Sequence, residues 1–553
     1  MTKIIELRPD RNLLNADFEK YQFCSDEIPI KCEKKLDAEI LHVELSSSRD
    51  SWLEAKLFAF HNHLFKNPFD SSCWFVDTNG GVWKFMLTGA LELVHTSKTI
   101  AAKSAQCLYN PSIAFASEDI FVISNGGGAL EFLIKKDGCL KMFLMNDVEP
   151  AIVLDARFVN ENSKIIVALY KIDEIKGKRF SRLIFLTYDY NANNEDQSQI
   201  VKLARKQTMK VKGSIDMVYF EKNGHSCHVI SQDYVEFDYD SVNPVKTDEK
   251  KGNVESQIKI PKYSWSQDEN SITVYVKTPE KYKSITTKVD VKPFNVSIAV
   301  SDMTLLHGET SYKLDSELTT WKLKDDTLEV ELFKSESGLM WSELLKGDTG
   351  GEYIPNETLA AEIHSRLAHL CSENQESNTQ GQSAIGFNSE QLEDCDFSGA
   401  ENILQRINID SHEITHMAML GSSNRVLFMD KQSSNQVVCL RHDHDGCAWF
   451  LNECNNDNEW SHTHSYTFPG FGYIEASKTN KQFCISPPDG SWIAIVEHTR
   501  HAFVYEKPEK GSKVGKQRIV DFGIEVAVLG AISTNKYLII LTKNSLQQFQ
   551  LYS

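Results

Sequence analysis

Short apolar strands recur along this chain as turn-linked pairs, and a chain made of many such pairs has few ways to bury them. The first pair is CWFVDTNGGVWKFML, where two apolar runs flank Asn79-Gly80-Gly81; Asn-Gly permits the positive φ angles of a tight hairpin. Variants follow in SIAFASEDIFVISNGGGALEFLI, in AIVLDARFVNENSKIIVALYK with RLIFLTYDY, and in SIDMVYFEKNGHSCHVISQDYVEFDY. Each unit spans roughly forty to fifty residues and runs from a small-residue start through an apolar strand and a Gly/Asn/Asp turn to a second apolar strand. Such a unit cannot bury both of its faces alone, so units pack side by side as the blades of a β-propeller.

About four units lie in residues 41–240. The pattern then breaks, and returns from Ile403 in ITHMAMLGSSNRVLFMDKQSSNQVVCLRH, KQFCISPPDGSWIAIVEHTRHAFVYE and EVAVLGAISTNKYLIILTKNSLQQFQLY, about three more units over 401–553. Together they predict one all-β, seven-bladed propeller assembled from both ends of the chain. The intervening residues are then an insertion between the fourth and fifth blades, at an exposed loop where insertions are tolerated. Two separate β-domains would instead have to close rings of four and three blades and leave long edges exposed. Residues 1–40 carry apolar side chains at irregular spacing (Ile4, Ile5, Leu7, Leu13, Leu14, Phe18, Phe23) and are expected to pack over this body as a segment rather than fold as a domain.

The interruption has its own strand pattern. In PKYSWSQDENSITVYV, Ile272, Val274 and Val276 alternate with polar neighbours; in KPFNVSIAV, Phe294, Val296, Ile298 and Val300 share one face, opposite Asn295 and Ser297. In TTWKLKDDTLEVELFK, Trp321 and Leu323 precede the turn signal Asp325-Asp326-Thr327, after which Leu328, Val330 and Leu332 face inward and Glu329 and Glu331 outward. Residues 257–348 therefore read as a small antiparallel β-sandwich able to hold its own core, with Trp321 inside it. Residues 241–256 read as a flexible linker. Over 349–400 a short amphipathic helix with Leu359, Ile363, Leu367 and Leu370 on one face is followed by a disordered linker rich in Ser, Gln, Asn and Glu.

Within this sandwich an ordered set of residues resembles the CS domain of the NudC family: Tyr263 and Trp265 in a YxWxQ opening, Gly308 followed by Tyr312, the Trp321 strand, LEVELFK ending at Lys334, and Trp341-Ser342-Glu343-Leu344-Leu345 before Gly347-Asp348. Thr310 and Ser311 stand where that family has an apolar residue. The resemblance implies a non-enzymatic co-chaperone or adaptor, in which the CS domain binds the ninety-kilodalton heat-shock chaperone or client proteins and the propeller selects partners. Tyr263, Trp265, Lys334 and Trp341 are the partner contacts expected, with Lys281, Lys283 and Lys288 from the basic run between Lys277 and Lys292. Such a run can pair with an acidic surface and steer encounter. In the alternative reading the propeller scaffolds an RNA-processing or vesicle-coat complex, and the CS domain serves only folding in cis.

Charge and motif content narrow the function classes. Lys and Arg number 59 against 77 Asp and Glu, a net charge of −18, which argues against direct binding to nucleic acid or an anionic membrane. Twelve cysteines without a CxxC pair are the usage of reduced thiols, so a cytoplasmic and nuclear location is expected. MTKIIELRPDRNLL has no apolar core of signal-peptide length, and no stretch of about eighteen apolar residues suggests a membrane span. No nucleophile elbow, Walker loop or HExxH anchors a catalytic site, and no cofactor is expected. Asn125-Gly126-Gly127-Gly128 reads as a hairpin turn rather than a phosphate loop, because ALEFLI continues it as strand. Cys439, His442, His444, Cys447, Cys454, His462 and His464 lack the paired spacing of a zinc site and read as polar loop residues near blade edges.

Overall fold

The computed structural model describes residues 2–552 except 46–48, 50, 104–107, 176, 193, 195–199, 246–262, 269, 278–286, 301–302, 325–326, 340, 342, 347–350, 354–400, 423–425, 434, 455–459 and 524–525. The chain divides into two compact units, Met1–Val245 with Ala384–Ser553, and Lys246–Ser383 between them.

The first unit holds seven sheets among its described residues. Blade one comprises strands Phe65–Lys66, Cys73–Val76, Gly81–Phe85 and Leu91–Thr96, and blade two Ser112–Phe115, Ile120–Ser124, Leu130–Lys136 and Cys139–Met145. Blade three runs from Ile152–Val159 through Lys164–Ile175 and Lys178–Tyr190 to Val201–Val211, with Glu236–Asp240 added outside. Blade four is Ile215–Phe220, Ser226–Ser231, Glu401–Asn408 and Glu413–Ser422; blade five is Val426–Lys431, Gln436–His442, Asp445–Leu451 and Thr463–Phe468. Blade six is Lys481–Ile485, Trp492–Glu497, His501–Glu506 and Val514–Asp521, and blade seven Val528–Ser533, Tyr537–Thr542, Ser545–Gln550 and, from the other end of the chain, Ile30–Lys35.

Each apolar cluster lies between two consecutive blades, which explains why so many strands are apolar on both faces. Trp74 and Val76 of blade one meet Phe115, Phe121 and Leu133 of blade two. Trp492 and Val504 of blade six meet Leu538 and Ile540 of blade seven. Phe75 and Phe85 of blade one meet Ile539 and Leu541 of blade seven, so the last blade packs on the first and the ring closes. Innermost strands tie non-neighbouring blades as well: Lys66 of blade one pairs with Asp430 of blade five at 2.7 Å, and Lys431 of blade five pairs with Asp155 of blade three.

The insertion leaves the ring at a different place from the one the repeat count predicts. It departs from inside blade four, not between the fourth and fifth blades: Ser226–Ser231 pairs antiparallel with Ile403–Asn408 across the whole insertion. Buried Glu221 from the first half of this blade accepts two bonds from Arg406 of the second, at 2.6 and 3.0 Å, and a third contact joins it to His228 at 3.0 Å. Residues 1–40 also do more than lie over a finished body. Lys3–Ile5 and Lys20–Phe23 add parallel strands to blades four and six, and Ile30–Lys35 completes blade seven. The glycine-rich loop at Asn125 is a hairpin turn into strand Leu130–Lys136; Gly126 has φ 70°, and a Cβ there would meet the Tyr109 carbonyl oxygen at 1.9 Å.

The second unit is a β-sandwich, antiparallel except that Gly351–Tyr353 pairs parallel with Tyr263–Gln267. Its larger sheet runs, edge to edge, Leu314–Lys324, Thr327–Lys334, Ser271–Lys277, Tyr263–Gln267 and Gly351–Tyr353; the smaller is Thr287–Lys292, Asn295–Val300 and Met303–Glu309. Ile272, Val274, Val276, Val296, Ile298, Leu328, Val330 and Leu332 fill the space between them. Phe294 departs from its expected inward place: it falls in the turn before its strand and is exposed. Thr310 keeps its strand end in place despite its polarity, being fully buried, with its amide donating to the Phe294 carbonyl at 3.0 Å and its hydroxyl to the Tyr312 carbonyl at 2.9 Å. The expected helix around Leu359–Leu370 and the linker after it lie outside the described residues.

Candidate protein-interaction edge

Four of the expected contact residues turn out to build the sandwich instead. Tyr263, Trp265 and Trp341 belong to its core, each 3% exposed, and the Lys334 side chain is buried beside them. The Lys334 ammonium donates to Gln267 Oε1 at 3.0 Å and to the carbonyls of Asp268 and Leu339 at 2.6 and 2.8 Å, which accounts for all three of its protons. Gln267 closes the node: its amide donates to the Trp341 carbonyl, and its Oε1 accepts from the Trp341 N–H, both at 2.8 Å. Burial pulls the Lys334 ammonium below the ordinary lysine range, with Asp268 opposing the shift. The ends of the motif, YxWxQ and the Lys334–Trp341 segment, thus share one buried polar joint, and a residue committed to it has no surface to offer a partner.

Trp321 has the opposite fate. It was expected in the core, and it is 48% exposed, with Leu323 on the same strand at 39%. Their cross-strand partners Val330 and Leu328 are fully buried, so both side chains stand on the core-facing side of the sheet. They are nonetheless half-exposed, on the outermost strand of the larger sheet. That strand, Leu314–Lys324, pairs on one side only among the described residues. Its register shifts between Asp315 and Thr320, and Leu318 in the shifted segment is also exposed.

Strand Thr287–Lys292 of the smaller sheet approaches this edge, with Val289 and Val291 turned inward and Lys288, Asp290 and Lys292 outward. Lys322 lies on the edge strand itself, 3.0 Å from Glu329. The edge thus combines an uncovered aromatic, an aliphatic neighbour, an unshared row of backbone groups and a border with more lysine than acid. Lys281 and Lys283 lie outside the described residues; Lys288 is exposed beside the edge. Periodicity marks the face on which Trp321 stands, but not whether that face is covered.

The charged inner-strand residues Lys66, Asp155, Asp430 and Lys431 form the cross-ring pairs already described. Cys439 and Cys447 are not loop residues: both lie inside blade-five strands, facing the core of the ring. Burial pushes the Cys439 thiol far up and the Cys447 thiol up to about 12, and a protonated thiol is a poor metal ligand. Among the described residues no three His, Cys, Asp or Glu side chains are grouped so as to hold a metal ion, and no helix is long and apolar enough to cross a membrane.

A closed seven-bladed ring interrupted by a β-sandwich with an open, lysine-bordered edge defines the class: a propeller protein carrying an inserted sandwich domain. Residues 261–334 match the family model described as the CS domain. NudC domain-containing protein 1 of Mus musculus is 27% identical over 98% of this chain and 97% of its own length, and its counterpart in Xenopus tropicalis is 28% identical over 99% and 98%. Among solved structures, the Cps50 (Swd1) β-propeller domain of Myceliophteria thermophila is similar over 89% of this chain and 96% of its own, at 8% identity and a TM-score of 0.37; the propeller assignment rests on the sheets and clusters above. The CS-domain match and the full-length similarity support membership of the NudC family.

Proposed function

We propose that this chain is a non-enzymatic co-chaperone adaptor. The open edge of its CS domain binds the ninety-kilodalton heat-shock chaperone or a client protein, and its propeller selects the partner. One observation carries the reading: Trp321 and Leu323 stand uncovered on the core-facing side of a strand that, among the described residues, pairs on one side only. An unshared strand accepts an extended partner segment through backbone hydrogen bonds. A half-exposed tryptophan supplies the large apolar contact on which interface energies concentrate. Lys288, Lys292 and Lys322 favour an acidic partner surface and speed its approach. Binding of this kind is reversible and needs neither nucleotide nor metal. A cytoplasmic and nuclear setting belongs to the same proposal, and imaging of the tagged chain tests it; a secreted or membrane-bound pool would contradict it.

Calorimetric titration of the full chain with the purified chaperone tests the edge directly. Trp321→Glu is expected to weaken binding by at least about tenfold, the effect of losing a central aromatic anchor, and Lys288→Glu with Lys292→Glu to weaken it at low salt only. An affinity unchanged by Trp321→Glu would take the edge out of the proposal.

A further inference from the structure

The outer edges of the blades are not treated alike. Lys3–Ile5 covers blade four and Lys20–Phe23 blade six. Between them the turn Arg11–Leu13 lies against the outer strand of blade five, where the Asp10 N–H donates to His464 Nδ1 at 3.0 Å. Ile30–Lys35 is itself the outer strand of blade seven, and Glu236–Asp240 covers blade three. Consecutive pieces of one N-terminal segment thus serve blades four to seven. Among the described residues, the outer strand of blade two, Cys139–Met145, pairs only with Leu130–Lys136.

That bare strand reads CLKMFLM, an unusual composition for an edge, since bare edges are ordinarily blunted by charge, proline or brevity. Leu140, Met142 and Leu144 share one face and are 38%, 44% and 37% exposed. On the opposite face Phe143 and Met145 are partly buried against the cluster shared with blade three, which holds the strand flat and in place. Blade one also lacks an added strand, but its outer strand Leu91–Thr96 exposes one large apolar side chain, Leu93. Charge specifies the occupant of blade two. Lys141 is exposed in the strand and Lys135 in its partner, whereas the chain as a whole carries −18. Lys141 lies on the face opposite Leu140, Met142 and Leu144; a second copy would bring another lysine to this edge, whereas a foreign segment with acidic residues on that face would meet Lys141 favourably.

We propose that the outer strand of blade two is a docking edge for another protein, which adds an extended segment with alternating apolar residues and acidic residues between them as a fifth strand. The segment's apolar side chains cover Leu140, Met142 and Leu144, and its carboxylates, on the opposite face of the sheet, meet Lys141. The chain already makes this kind of contact on blades four and six, with its own residues as the added strand.

The test uses the full chain and a fluorescent peptide of about eight residues alternating valine with glutamate, the length of one strand. Saturable binding is expected, with slower hydrogen exchange in the amides of Cys139–Met145. Met142→Glu should weaken it by about tenfold or more, because it places a carboxylate in the apolar stripe that the peptide's valines cover. Lys141→Glu should exchange preference from the glutamate peptide to a valine–lysine one, a readout that misfolding would not produce. Binding indifferent to both changes, or no slowing of exchange in Cys139–Met145, would overturn the proposal. So would a dimer of the unaltered chain that Met142→Glu abolishes, since the edge would then belong to self-association.

Discussion

Lys334 and Trp321 exchange the places that residue type alone would give them. A lysine is ordinarily solvated, but here three acceptors and a buried joint to Gln267 and Trp341 hold the ammonium inside the sandwich. Lys334→Ala would leave the Asp268 and Leu339 carbonyls without this donor and Gln267 Oε1 with the Trp341 N–H alone and is expected to cost about 3 kcal/mol, seen as faster hydrogen exchange in Tyr263–Gln267 and Thr327–Lys334; unchanged exchange would mean that the joint does not hold the domain. Glu221 makes a comparable prediction in the ring. Burial alone would raise its carboxyl, but the bonds from His228 and Arg406 prevail and bring it from 4.5 to about 2. A depressed carboxylate stabilises fully above its unfolded value and loses that contribution as pH falls through the folded one. Stability of the unaltered chain should therefore decline between about pH 4.5 and 2, and Glu221→Gln should flatten that part of an acid-unfolding profile; an unchanged acid limb would contradict the pairing across blade four.

At the scale of elements, alternation was legible and coverage was not. The period of two in SITVYV and in TLEVELF placed Ile272, Val274, Val276, Leu328, Val330 and Leu332 in the core, where they are. The same period put Trp321 on the inner face, but nothing local records that it is left half-exposed there. Trp341, beyond the last regular strand, had no period to place it, and its burial depends on a bond to Gln267 far back in the sequence. The expected stabilities follow from this reversal. Trp341→Ala should cost about 3–5 kcal/mol as a large core truncation, and Trp321→Glu should stay within about 0.5 kcal/mol as a surface change, both by denaturant unfolding. A larger loss for Trp321→Glu would return that ring to the core. The N-terminal strands were illegible for a related reason: an added edge strand such as Lys3–Ile5 needs backbone partners more than a buried face, so its side chains follow no clear alternation. Removing residues 1–36 should take away the outer strand of blade seven, bare Ser545–Gln550 and lower the unfolding midpoint by the order of 5 °C or more; an unchanged midpoint would make that segment dispensable to the ring.

For the whole molecule, seven recurrent units gave the ring, and the resemblance at Tyr263 to Trp341 gave the domain inside it. The point of insertion escaped because half a blade on either side of it reads like one more strand pair, and only the pairing of Ser226–Ser231 with Ile403–Asn408 joins the halves. Tyr263, Trp265, Lys334 and Trp341 of the motif build the core of the CS domain, and binding, as proposed, falls to the edge at Trp321. The most direct measurement is affinity purification from cell extract of the unaltered chain and its Trp321→Glu and Trp321→Phe variants, with folding checked by circular dichroism. Selective loss of chaperone and client proteins by Trp321→Glu, with recovery in Trp321→Phe, is the predicted result. The same partners recovered with all three proteins would contradict it and move binding from the CS edge to the propeller.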